Sequence, residues 1–161
     1  MASWREGYAD VVPEPLLGEL TGDPAVAIWQ ERWREAIDNP PTSRHRVLVA
    51  VEDDPSRVIV GFAAAGPATD ADRWPGTDGE LYELRILPER TRQGHGGRLL
   101  HAVVDTLVED GFHTASTWTL EADVSLRTFL ESSGWATDGA RADLDVGVRL
   151  PAIRLHTAIS E

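Results

Sequence analysis

Three glycines fall within four positions of RTRQGHGGRLL (residues 90–100), between a strand-like apolar run and an amphipathic stretch. Glycine lacks the Cβ that limits backbone turns and keeps other groups at a distance. The segment therefore dictates a strand–loop–helix unit whose helix begins with bare backbone. Residues 85–98 hold four arginines (Arg85, Arg90, Arg92, Arg98) and one acid, Glu89, a local charge of +3 in a chain whose formal net charge is −12. A helix start offers unpaired amides and a partial positive charge, together worth up to about 2 kcal/mol to an anion. Gly94, Gly96 and Gly97 withhold the side chains that would keep a phosphate from that backbone. The stretch reads as a pyrophosphate cradle, against the plainer reading of a glycine-rich turn into a surface helix. It is not a P-loop, because Gly97 is followed by Arg98-Leu99 instead of Lys-Ser or Lys-Thr. Nor is it a dinucleotide fingerprint, because Leu99 stands where the third glycine belongs.

Helical and strand patterns alternate along the rest of the chain. SWREGYADVVPEPLLGELT predicts short helical segments broken at Pro13 and Pro15. Asp23 as N-cap and Pro24 at the first helical position open a helix to about Asp38, ended by Asn39, Pro40 and Pro41. RVLVAVED and VIVGFAAAG read as a hairpin joined by DPSR, GPATDADRWPGTDG as a loop, and ELYELRIL as a third strand. From Gly96 to about Asp110, an amphipathic helix carries Leu99, Leu100, Val103, Val104, Leu107 and Val108 on one face and stops at Gly111. TASTWTLE is a fourth strand and Val124–Ser133 a short helix closed by Gly134. RADLDVGVRLPAIRLHTAI supplies one or two strands split near Pro151. Strands outnumber crossover helices, so the expected fold is a single α/β (α+β) domain with a mixed sheet.

Charge and composition exclude several function classes. A chain of 161 residues at −12 is a poor partner for nucleic acid and would attract cationic small molecules or basic peptides. It contains no cysteine, which removes disulfides and thiolate chemistry. No apolar run approaches the roughly 18 residues of a membrane span, and no secretory leader pattern opens the chain. A soluble cytoplasmic domain with no membrane partner is the expectation.

LRILPERTRQGHGGRLL resembles the acyl-CoA-binding motif of the GNAT superfamily of N-acyltransferases, a strand ending in hydrophobic-x-Pro followed by Arg/Gln-x-x-Gly-x-Gly/Ala at a helix start. WTLEADVSLRTFLESSGW is similar to the family's second signature, a strand, an Asn-capped helix carrying Phe-Tyr, and a Gly-aromatic pair. The likeness covers about residues 45 to 159 in element order. It implies a mixed, mostly antiparallel sheet with a splayed parallel strand pair and flanking helices, the pantetheine arm entering the gap. By matching, the backbone of Leu84, Arg85 and Ile86 pairs with that arm. The loop Arg92, Gln93, Gly94, His95, Gly96 and Gly97 surrounds the pyrophosphate, with Arg92 and Arg98 able to reach phosphate oxygens. Asp123 stands at the motif asparagine, as a pantetheine contact or simply as an N-cap. The resemblance implies acetyl-CoA as co-substrate without a metal, and direct attack by a primary amine with no covalent enzyme intermediate.

Such a reaction needs the neutral amine, and deprotonating an alkylammonium at pH 7 costs about 4–5 kcal/mol. A carboxylate acting directly or through water would help. Glu80 lies four residues before Leu84, the offset at which some family members carry a glutamate base. Strict alternation puts it on one face with Tyr82, Leu84 and Ile86 and turns Glu83, the second choice, the other way. A solvated strand-end carboxylate is the plain alternative for either. Two positions depart from the family. Thr91 replaces the leading Arg/Gln, leaving its role to Arg90 or Arg92. Leu130 replaces the tyrosine proposed to protonate the leaving thiolate, so Tyr82 would serve or the thiolate would leave unassisted.

Family members usually open with a strand, whereas MASWREGY reads as helix. The first strand is therefore expected to be missing, through an internal start codon, leaving a sheet edge that a homodimer would cover. Trp29 and Trp33 share a helical face and are expected in the core, Trp118 and Trp135 in packing, and Trp74 is the loop candidate for a substrate-gating aromatic. His45, His101 and His113 look incidental, and no spacing suggests a metal site. His95 would be protonated beside a phosphate, and His156 is expected to be structural more than to face an amine. Two functions remain open. One is an N-acetyltransferase for a small or peptide amine, with polyamines, aminoglycosides or lysine side chains as cationic candidates. The other is an acyl-CoA-binding module of the same fold with little or no catalysis.

Overall fold

Pro15 begins a helix instead of breaking one. In the computed structural model, which describes residues 9, 12–53, 55, 57–145 and 149–160, α1 spans Glu14–Thr21 with Pro13 at its N-cap. Pro15 stands in the first turn, where an amide hydrogen has no intrahelical partner to lose. α2 follows over Asp23–Asp38 and closes at Asn39. Its N-cap is Gly22, not Asp23, because the extended backbone (φ −71°, ψ 166°) falls at Gly22. The expectations for MASWREGY and a missing first strand fall on residues outside those described.

Among the described residues six strands form one sheet in the order β1-β2-β3-β4-β6-β5: β1 Arg46–Val51, β2 Ile59–Pro67, β3 Asp78–Ile86, β4 Thr114–Leu120, β5 Ala136–Asp145 and β6 Arg149–Ala158. Every neighbouring pair is antiparallel except β3 and β4. α3, His95–Glu109, carries the chain from β3 back to β4, as a parallel pair requires, and α4, Val124–Ser132, leads into β5. The mixed, mostly antiparallel sheet expected from the sequence is therefore present. Pro151 does not split the last strands. It lies within β6 opposite Asp143, and its carbonyl accepts from Glu121 N just past the end of β4. It lies one position past Leu120–Ala152, the last pair of the β4–β6 ladder, where a missing donor costs least.

The main core lies between the sheet and α3, where Leu99, Leu100, Val103 and Leu107 meet Ala63, Leu81, Ala115 and Leu155. Gly111, at φ 84°, closes α3 in a left-handed turn that a β-carbon would strain. Val108, expected on the buried face, is 42% exposed in the last turn of the helix. α4 joins this side through Leu126, Phe129 and Leu130. On the other side a smaller cluster packs Leu17 of α1 against Leu120, Leu150 and Ala152.

α2 lies on that second side with no buried residue. Trp29 is 37% exposed, and Trp33 meets the sheet through an edge-to-face contact with Phe62, centroids 5.0 Å apart. Neither belongs to the core, which corrects the sequence expectation. The helix stands off the sheet on its aromatic side chains. Trp135 is buried at 3% and packs as expected. No helix among the described residues is long and apolar enough to cross a membrane.

β3 does not alternate strictly. Its register against β2 runs Leu84–Ala63, Glu83–Ala64, then Leu81–Ala65, so Tyr82 is the extra residue of a β-bulge. Leu81, Leu84 and Ile86 pack on the α3 side. Arg85 opposes Phe62 on the α2 side, and Glu83 opposes Ala64. The grouping expected from alternation, Glu80 with Leu84 and Ile86 and Glu83 opposite, is thus corrected: the bulge gives Glu80, Tyr82, Glu83 and Arg85 one face.

Candidate functional site

β3 and β4 pair over only three positions, Asp78–Thr114, Gly79–Ala115 and Glu80–Ser116. Thr117 Oγ1 then donates to Leu81 O at 2.8 Å, and beyond it the strands part. The gap holds a cavity of about 200 Å³ floored by Leu126 and Leu130 and bounded by Leu81–Arg85 and Thr117–Leu120. It meets a larger cleft of about 510 Å³ that runs along Leu84, Arg85 and Ile86 to the glycine loop. Arg85 and Leu84 line both.

At the far end of this cleft stands the start of α3. Gly94 is its N-cap at φ 85°, and no side chain caps it. The first intrahelical bond there is Arg98 N to Gly94 O at 3.1 Å, which leaves the amides of His95, Gly96 and Gly97 without helical partners. Gly94, Gly96 and Gly97 all line the cleft with Thr91 and Arg92. Arg92 is left-handed at φ 60°, a conformation that costs a non-glycine residue on the order of 1 kcal/mol. It makes no ion pair with a described residue, whereas Arg90 pairs with Glu52 at 2.7 Å. Thr91 itself is too short to act as the family's Arg or Gln does, and of its two arginine neighbours the cleft contains Arg92.

Three other residues of the loop motif face elsewhere. Gln93 turns its amide back to Glu89 O at 3.3 Å. His95 is buried at 8% and lies 3.0 Å from Arg98 Nη2 through Nδ1. A guanidinium only donates, so Nδ1 accepts and the ring proton is on Nε2. Neither side chain lines the cleft. Across the cleft, Asp123 Oδ1 accepts from Leu126 N at 2.9 Å and caps α4. Asp123, Ser125 and Phe129 line the opposite wall. Ser125 and Phe129 were not singled out in the sequence. Their signal was the helix start at Asp123, which opposes the first one.

The three candidate acid–base groups sit differently. Glu80 is 7% exposed and accepts from Thr69 N at 2.9 Å and Thr69 Oγ1 at 2.8 Å. Burial pushes its carboxyl up, and the Thr69 hydrogen bonds offset part of that. Glu80 lines neither the gap nor the cleft. Tyr82 donates its hydroxyl hydrogen to Pro67 O at 2.6 Å, and burial raises its pKa to about 12. Gly66 makes room for that ring, since a β-carbon there would lie 2.8 Å from Tyr82 Oη. Glu83 has Arg85 Nε 2.5 Å from its Oε1. Burial raises its carboxyl and the guanidinium offsets part of the rise.

Glu83 also faces a third cavity of about 780 Å³ on the α2 side, walled by Trp29, Trp33 and Phe62. Among the described residues only Glu83 and Arg85 line both this cavity and the gap between β3 and β4. Leu130 is fully buried at the floor of the gap. Trp74, 71% exposed in the 68–77 loop, lines none of the three cavities. That loop is held down by Arg154, buried at 4%, which donates to Asp70, Asp72 and Asp138. Sequence reading missed this cluster, whose members lie up to 84 residues apart.

The chain is similar to known proteins. The family model described as acetyltransferase (GNAT) family matches residues 14–135. The uncharacterized N-acetyltransferase YuaI of Bacillus subtilis (strain 168) is 32% identical over 124 residues, 77% of this chain. The chain spans 64% of the length of that curated relative. Among solved structures, the PaiA N-acetyltransferase of Thermoplasma acidophilum, in complex with coenzyme A, superposes with a TM-score of 0.64 at 17% identity, covering 98% of this chain and 86% of that one. A GNAT-family structure from Desulfovibrio desulfuricans gives 0.65 at 22% identity over 93% and 96% of the two chains. The matched region runs from α1 through the parted strands and the glycine loop to Trp135, and on that ground the chain belongs to the acetyltransferase (GNAT) family.

Proposed function

We propose that the chain is an N-acetyltransferase that uses acetyl-CoA to acetylate a primary amine, both substrates being bound together. One observation carries the reading: a cleft joins the uncapped helix start at Gly94, Gly96 and Gly97 to Leu84–Ile86, it shares Leu84 and Arg85 with the gap between β3 and β4, and Glu83 lines both that gap and the cavity on the α2 side. The residues present fit the donor. Bare amides and Arg92 suit a diphosphate, and the apolar gap over Leu126 and Leu130 suits an extended acyl arm. When bound, acetyl-CoA supplies the activated acyl group.

The chain's own part is binding, orientation and one proton. Glu83 accepts the ammonium proton, directly or through water, and its raised carboxyl makes it a better base near neutrality than an ordinary glutamate. The neutral nitrogen attacks the thioester carbon, an amide bond forms as the C–S bond breaks, CoA departs as thiolate, and the second proton shed by the nitrogen passes to solvent. Tyr82 keeps its hydrogen on Pro67 O, so thiolate departure relies on solvent and on orientation of the reactants.

Release of CoA thiol over a panel of amines tests this. The chain has no cysteine and no lysine, so neither a protein thiol nor self-acetylated lysine adds background. Amine-dependent thiol release is the expected result, and no heat on mixing with acetyl-CoA overturns the reading. Buried Leu130 in the tyrosine position favours one alternative, an acyl-CoA-binding module without catalysis, whose signature is binding with no release on any amine.

A further inference from the structure

The cavity beneath α2 limits which amines can reach Glu83. Its volume of about 780 Å³ suits a small molecule. Three aromatic rings wall it, Trp29, Trp33 and Phe62, with Val26 and Ile37 between them. Four charged residues line it, Arg34, Asp38, Glu83 and Arg85, and three of them are in ion pairs: Arg34 with Glu31, and Arg85 with Glu83. The lining carboxylates a ligand ammonium could meet are Glu83, paired with Arg85 through Oε1 and bordering the gap between β3 and β4, and exposed Asp38. A polyamine or aminoglycoside needs an acceptor for each of several ammonium and hydroxyl groups, and buried polar groups left unpaired bind poorly. An aromatic or branched aliphatic body finds complementary walls instead, and the rings favour a cation near their faces.

We propose that this cavity is the acceptor site for a small monoamine with an aromatic or branched aliphatic body, its skeleton against Trp29, Trp33 and Phe62 and its nitrogen at Glu83. The proposal rests on the acetyltransferase reading above and narrows the cationic acceptors considered from charge alone. The −12 net charge draws in an ammonium of any shape, and the aromatic walls choose among them.

Binding and turnover are measured with 2-phenylethylamine and 3-methylbutylamine against spermidine and kanamycin. Saturable binding of the first pair, by calorimetry and by quenching of tryptophan fluorescence, is expected with or without acetyl-CoA. Trp33→Ala should raise the KM for 2-phenylethylamine about tenfold, since removing one aromatic wall and its apolar area is worth roughly a decade of affinity. Val26→Trp, which fills the cavity, should abolish amine binding. Both variants should still bind acetyl-CoA, which shows that they fold. Acetylation confined to spermidine or kanamycin, no saturable binding of either hydrophobic amine, or a KM unmoved in both variants overturns the proposal and leaves the acetyltransferase reading standing. Loss of acetyl-CoA binding in the unaltered protein defeats that reading instead.

Discussion

Glu80 and Glu83 are both glutamates lifted by burial, and their surroundings separate them. Glu80 turns Oε2 to Thr69 and lines neither the gap nor the cleft, while Glu83 borders two cavities. For a carboxylate base the ionised form is active, so activity falls as pH drops through a value above the ordinary carboxylate range. Glu83→Gln should cut kcat by about 10²–10⁴-fold and remove that acidic limb. Glu80→Gln should retain the limb, and a limb lost there instead exchanges the two roles. At the cradle, a β-carbon on Gly96 would meet Phe129 and Ile86 no closer than 3.6 Å, so the backbone accepts a side chain. Gly96→Glu should then abolish acetyl-CoA binding, read by calorimetry, with the thermal midpoint nearly unchanged, because its carboxylate would occupy the anion site.

Among the elements, β2 and β3 hold the cleft wall in place through small residues. A β-carbon on Gly61 would lie 2.4 Å from Ile86 Cδ1 and 2.7 Å from Arg85 O. Gly61→Ala should therefore cost about 1–3 kcal/mol in denaturant unfolding and weaken acetyl-CoA binding, because both displaced groups belong to residues lining the cleft. The succession of these elements was legible in the sequence, since Gly111, Gly134 and the Asn39-Pro40-Pro41 run punctuate it and α3 repeats its apolar positions strongly. The glycine loop was legible too, because bare backbone beside clustered arginines is a local pattern. The bulge at Tyr82 was not, for it depends on how β3 pairs with β2, and that reversed the expected faces of Glu83 and Leu84. Trp29 and Trp33 misled for a related reason: a periodic aromatic face marks what a helix presents, and α2 presents it to a cavity.

For the whole molecule, Arg154 ties together parts distant in sequence. It joins the 68–77 loop to β5 and β6, and Asp138 also pairs with Arg73. The guanidinium holds the Asp72 carboxyl down to about 2, and the Ala140 amide and Arg154 hold Asp138 below its ordinary value despite burial. Folded-state values below the unfolded ones mean that this stabilisation is complete above about pH 4 and lost as pH falls toward 2. Arg154→Leu should lower stability by roughly 2–3 kcal/mol near neutral pH, a deficit that shrinks in acid as the stranded aspartates take up protons. Thermal unfolding of both proteins from pH 7 to pH 2.5 measures it, and a constant difference refutes the linkage.

The surplus residue in β3 has a consequence for anyone recombining this domain with a relative. Point replacements between Glu80 and Arg85 leave orientation alone, but a graft one position shorter would swing the Glu83 carboxyl into the greasy interior and Leu84 out toward the acceptor. The stretch 78–86 must consequently travel between homologues as an indivisible cassette, together with the β2 segment that sets its phase.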